Sequence, residues 1–301
     1  MAKQLKPVEL FVALGLAVTL GACGAPTADG GEGGEAAEQS ETTTAIEAEG
    51  GEGGEGGEGG EGGEGGEGGE GGEGGEGGEG GEGGEGGEGS STGDADTDYM
   101  TALALMKGHL IVAEELLAEG SPELAEPHIG HPVEEIYGDI EGQLDKRGVA
   151  AFDAQLNEVH DLVKTAPDSD QVSDKLTASQ KSIDGAIAAL SDDKRQSPEF
   201  VLGVILEVLN VAAEEYEASL VDNKFVEIVE YQDSRGFVFY ADELYASVAD
   251  EMSQSNPNEH KVISENLEAL KAVWPTVNPP ETPVKEPGEV YAMVSEIELQ
   301  L

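Results

Sequence analysis

From Glu49 to Glu88 the chain repeats Gly-Gly-Glu with a strict period of three, and no other feature limits so firmly what can fold. Glycine loses more conformational freedom on ordering than any other residue. A segment whose remaining side chains are all carboxylates has no apolar surface to bury in return. Collagen also places glycine at every third position, but it fills the others with proline. This tract has two glycines per triplet and no proline. The expectation is an extended, flexible polyanion, and acids at Asp29, Glu32, Glu35, Glu38 and Glu41 keep the same spacing upstream. Taken as a Gly-rich coil, residues 24–98 would reach about 50 Å r.m.s., and further with charge repulsion. A spacer is the leading role; a loose cation reservoir is the alternative, because spaced carboxylates without a rigid oxygen cage bind Ca²⁺ only weakly.

What precedes the tract reads as a targeting segment. Lys3 and Lys6 lead into an apolar run from Leu10 to Leu20, too short to cross about 30 Å of hydrocarbon as a helix and therefore expected to be a signal peptide, residues 1–22. The run ends in Leu20-Gly21-Ala22-Cys23, which resembles the lipobox of bacterial lipoproteins. That resemblance implies diacylglyceryl transfer to Cys23, acylation by chains such as palmitate, and a mature protein held to membrane lipid without spanning it. Gly24 after the cysteine resembles cargo of the outer membrane in a Gram-negative envelope. Cys23 is the only cysteine, so no disulfide staples the rest of the chain, whose fold must rest on packing.

The domain organisation expected is thus a signal peptide, a lipidated tether over residues 23–98, and a folded part over residues 99–301. The whole chain has a formal net charge of -49, and the acidic excess continues beyond the tether. Nucleic acid is excluded as a partner, since phosphate binding needs a basic surface.

In the folded part, Met100, Leu103, Leu105, Met106, Leu110, Val112, Leu116 and Leu117 share one broad helical face, and Gly120 marks the end of that helix. Apolar spacing predicts a second helix over 132–144 and further helices over 149–165, 169–190, 198–221, 224–254, 256–273 and 286–299. Strand character is confined to Gly236-Phe237-Val238-Phe239-Tyr240. The expected class is all-α, a helical bundle. Ala113-Glu114-Glu115 is echoed by Ala213-Glu214-Glu215, which leaves a bundle of two related halves open.

Chemistry concentrates in one stretch, where Met106, His109, His128, His131, Glu134 and Glu135 lie close in sequence. Met106 and His109 are three residues apart on a helix, as are His131 and Glu134, so each pair faces one way. Imidazole with carboxylate suits iron, zinc or copper, and a thioether favours copper or haem. Met106, His109, His128, His131 and Glu134 are therefore the candidate metal ligands. The alternative needs no metal: His131 as N-cap, Pro132 at the first helical position and Glu134 at the third form a favourable helix start. Tyr231, Asp233, Arg235, Tyr240 and Tyr245 form a second polar group that could line a pocket or complete a site with Glu214 and Glu215; the favoured reading is core tyrosines with an Arg–Asp pair. His160 and His260 read as surface helix residues.

Gly130-His131-Pro132-Val133-Glu134 contains a His-x-x-Glu motif that, on a helical envelope protein, is similar to the imelysin-like family of bacterial envelope proteins, which includes iron-uptake components. The resemblance implies a helical bundle and assigns metal ligation to His131 and Glu134. No catalytic signature is present: the chain has no His-Glu-x-x-His, no Gly-x-Ser-x-Gly and no phosphate-binding glycine loop. Two readings follow. One is an envelope lipoprotein that binds a metal ion or haem in acquisition or storage; the other is an interaction module presenting an acidic helical surface to an envelope protein.

Overall fold

The computed structural model describes residues 91–301. Cys23, the signal segment and the Gly-Gly-Glu repeat lie outside the described residues. The described part is all-α, as the apolar spacing predicts. Helices α1 (Ala95–Ala118), α2 (Pro122–His131), α3 (Tyr137–Arg147), α4 (Asp153–Thr165) and α5 (Gln171–Ile187) are followed by the single turn α6 (Asp192–Arg195). Then come α7 (Pro198–Ala218), α8 (Ile228–Ala246), α9 (Ala249–Ser255), α10 (Pro257–Lys271) and α11 (Pro287–Glu298). The strand pairing among the described residues is a two-residue hairpin, β1 (Leu220–Val221) against β2 (Lys224–Phe225). Its turn residues Asp222 and Asn223 both take positive φ, the geometry a tight hairpin demands.

The core forms around α1. Asp94 caps this helix, its side chain accepting from the backbone N–H groups of Asp96 and Thr97. Gly120 ends it in the left-handed conformation, with Ser121 N–H returning to Leu116 O. Between those ends α1 is apolar nearly all round, from Tyr99 to Leu116. A helix of that kind must be surrounded, and α1 packs against α2, α5, α7 and α8. The polar side chain of His109 is thereby carried to the middle of the bundle.

The α1–α8 contact is the closest. A Cβ added at Gly236 would lie 2.3 Å from the backbone oxygen of Gly108, and one at Gly108 would lie 2.5 Å from the Phe237 ring. Glycine at both positions lets the two backbones touch, which brings the neighbouring residues His109 and Asp233 within bonding reach.

Two expectations fail here for physical reasons. The segment Gly236–Tyr240 is not a strand; it is the middle of α8. Its aromatic and β-branched residues fit a strand locally, but packing on α1 and α7 overrides that preference. Nor is His131 an N-cap. Its φ and ψ are helical, and the chain runs on from α2 through a π turn, Pro132–Ile136, into α3. Proline has no N–H to donate and its ring crowds the carbonyl four residues back. Widening by one residue, with Tyr137 N–H reaching Pro132 O, lets the helix continue past it.

Candidate metal centre

Four buried polar residues follow one another in α8: Gln232, Asp233, Ser234 and Arg235. Buried polar groups must find partners. Ser234 donates to Tyr231 O. Arg235 pairs with Glu115 on α1 and stacks over Phe239 at 4.2 Å. The anticipated Arg235–Asp233 pair is therefore replaced, and Asp233 turns instead to histidines.

His109 from α1 and His128 from α2 each place Nδ1 at 2.6 Å from the same oxygen, Asp233 Oδ1. His109 and His128 are fully buried and Asp233 is 1% exposed. The three candidate ligand atoms lie within 4.8 Å of one another. His131, at the end of α2, puts Nδ1 at 3.3 Å from Asp233 Oδ2, and its ring stands edge-on to His109 with centroids 5.1 Å apart. Phe237 closes another side of the His109 ring, 5.0 Å away and nearly perpendicular.

His128 Nε2 lies 2.9 Å from Gln232 Oε1, so the side-chain amide of Gln232 holds the outer nitrogen of the ring. A ring that donates from Nε2 presents the Nδ1 lone pair to a carboxylate oxygen 2.6 Å away, which is repulsive unless a cation stands between them. Either a proton or a metal ion meets that need. A second partner that fixes the tautomer of a histidine is what ligating imidazoles ordinarily have, and Gln232 supplies it. Further polar capacity remains beside the triad: Asp233 Oδ2, His131 Nδ1 and Gln232 Nε2 are all buried without a hydrogen-bond partner.

Burial alone would push the Asp233 carboxyl upward, but the charges and hydrogen bonds of His109 and His128 hold it well below the usual carboxylate range. For His131 burial works against protonation, yet the neighbouring carboxylate of Asp233, 3.3 Å from Nδ1, carries the ring above its ordinary value. Both directions say that the cluster is built to hold positive charge beside one buried carboxylate. Two neutral imidazoles and one carboxylate form a nitrogen and oxygen donor set suited to divalent first-row ions such as ferrous iron or zinc.

Of the candidate ligands, His109 and His128 converge and His131 lies at their edge. Met106 is fully buried in the hydrophobic core. Glu134 is largely exposed and faces away, its Oε1 3.7 Å from His160 Nδ1. Cys23 lies outside the described residues. Asp233 is not among the expected metal ligands; it stood in the second polar group, and the run of polar residues Gln232–Arg235 inside an otherwise apolar helix is the signal that points to it. His160 is not a surface residue: only 4% exposed, it packs against Gly130, where an added Cβ would meet its ring at 2.9 Å, and it pairs with Glu126. His260 is half-buried and bonded to the Tyr245 hydroxyl at 2.9 Å.

Residues 191–301 match the family model of the iron permease-associated 4-helix bundle domain. The similarity is of this segment to an iron permease-associated helical bundle and not to the imelysin-like family that the His131-x-x-Glu134 motif suggested. The matched segment contains Asp233 and Gln232, whereas His109, His128 and His131 precede it. No curated protein and no solved structure matches the chain. Among the described residues, no helix is long and apolar enough to cross a membrane.

Proposed function

We propose that the protein binds a single divalent iron ion as cargo, between His109 Nδ1, His128 Nδ1 and Asp233, and that it serves iron uptake at a membrane. The observation that carries this reading is the convergence of His109 Nδ1 and His128 Nδ1 on one buried carboxylate oxygen of Asp233, with Gln232 holding the outer nitrogen of His128. The likeness of residues 191–301 to an iron permease-associated domain supports iron over zinc. A bare ion suits the cluster better than haem, because its donors are buried and lie within 4.8 Å of one another. The donors are nitrogen and oxygen, which also removes the thioether argument for copper.

Tag-free, metal-free protein titrated anaerobically with Fe²⁺ is expected to take up one ion per chain. His109→Ala and His128→Ala should each weaken that binding by about 100-fold or more with helical circular dichroism retained. Equal binding after both substitutions, or no stoichiometric uptake by the unaltered chain, refutes the reading. The acidic helical surface would then be better explained as a docking module for another protein.

The lipobox-like Leu20–Cys23 supports a lipid anchor on Cys23 in a bacterial envelope, with residues 24–98 as spacer and the helical part held away from the bilayer. Cys23→Ala is expected to move the protein from the membrane fraction to the soluble fraction of fractionated cells while leaving its helix content unchanged. Unaltered membrane association would rule the anchor out.

A further inference from the structure

An ion held by His109, His128 and Asp233 would be sealed from solvent, since the three side chains are 0–1% exposed. Of the three clustered histidines, His131 alone keeps contact with water, with 19% of its side chain exposed. Its two ring nitrogens face different surroundings. Nδ1 looks inward, 3.3 Å from Asp233 Oδ2, and both of these atoms are buried without a hydrogen-bond partner. Nε2 looks outward, 3.9 Å from Glu135 Oε1, where Glu135 is about a third exposed.

The π turn contributes to this placement. It begins immediately after His131 and contains Glu135, and its wider repeat keeps a residue four positions on near the same side of the helix axis. The adjacent Glu134 is directed to His160 instead, and Glu126, which pairs with His160, is also held by Lys164 at 2.9 Å. The His131–Glu135 pair is the carboxylate and imidazole that adjoin the buried triad, through the contact of His131 Nδ1 with Asp233.

We propose that His131 Nε2 and Glu135 form an entry subsite for a divalent first-row cation, from which the ion passes inward to Asp233 Oδ2 along the face of the His131 ring. This rests on the triad being the ion's final site. A gap of 3.9 Å between the outer nitrogen and oxygen accommodates one ion bound to both at ordinary lengths of about 2.0–2.2 Å. Asp233 then serves both stages: Oδ1 belongs to the triad, and Oδ2, otherwise orphaned, receives the incoming ion. No bond is made or broken beyond metal–ligand exchange.

Stopped-flow mixing of the metal-free full-length chain with Co²⁺, followed by the visible absorption of nitrogen-ligated cobalt, separates loading from final affinity. In Glu135→Gln, loading and release are both expected to slow by about tenfold, with the equilibrium affinity unchanged. Asp139→Asn removes an equal charge one turn further on, at an exposed position of α3, and should load at the original rate. Wild-type loading in Glu135→Gln overturns the proposal. So does equal slowing in Asp139→Asn, which would indicate general electrostatic attraction, or an affinity loss in Glu135→Gln with release unaltered, which would make Glu135 a ligand of the final site. If the unaltered chain develops no nitrogen-ligated cobalt spectrum, the triad reading itself fails, and the entry subsite with it.

Discussion

Asp233→Asn is expected to lower metal affinity by at least about 100-fold, the largest functional effect of any single change in the cluster. The amide keeps the size and one oxygen of the carboxylate but removes the only negative charge among the buried donors His109, His128 and Asp233. The same variant should show where protons stand in for metal. Because the Asp233 carboxyl is held below its ordinary range, its contribution to folding is present above the unfolded value of about 3.9 and is lost only as pH falls through the lower folded value. His131 runs in the opposite sense: its raised value gives stability that is complete below about 6.5 and fades as pH rises through the folded value. In metal-free protein the advantage of Asp233 over asparagine should therefore be largest between about pH 4 and 6.5, on the order of 2 kcal/mol. Thermal melts of both proteins across pH 3–8 measure it; a gap that widens steadily above pH 7 would show that the histidines are not the carboxylate's partners.

Gly236→Ala should have the largest effect on stability. Its methyl group would fall 2.3 Å from Gly108 O and 2.8 Å from Val112 Cγ2, and a backbone carbonyl cannot step aside as a flexible side chain can. Separating α1 from α8 is expected to cost about 3 kcal/mol, a fall in Tm of roughly 6–12 °C for a domain of this size. Gly203→Ala supplies the contrast. Gly203 lies within α7 with nothing within 4 Å of the added methyl, so that change should be stabilising by about 0.5–1 kcal/mol. Equal melting temperatures for the two variants would contradict the close α1–α8 crossing. Metal binding should weaken in Gly236→Ala as well, because the crossing sets the distance from His109 to Asp233.

The helical class was legible because most helices bury one stripe and leave the rest wet. In α4, Leu156, Val159 and Val163 are buried while Gln155 and Glu158 are exposed, and that contrast is visible in the letters alone. Helix α8 lacks it. From Tyr231 to Val238 every residue is buried, so no polar face marks the period, and Gly236–Tyr240 read as a strand. Burial on all sides also hid Asp233: a carboxylate beside an arginine two positions on looks like a local pair, and only the α1 contact shows that Arg235 belongs to Glu115. His109 and His128 stood out because histidine is rare in this chain, with five in all. Their convergence on one oxygen depends on a partner more than 100 positions away, which no local spacing encodes.

That separation has its own consequence. His109 and Asp233 are 124 residues apart and His128 and Asp233 are 105 apart, so an ion held among them would be a clasp joining α1 and α2 to α8 as well as a cargo. Folding and loading then draw on the same free energy: at an ion concentration 100 times its Kd, the clasp adds about 2.7 kcal/mol to the folded state. On the proposed reading, whatever removes the ion would also loosen the protein that held it, and delivery and relaxation would be two descriptions of one event.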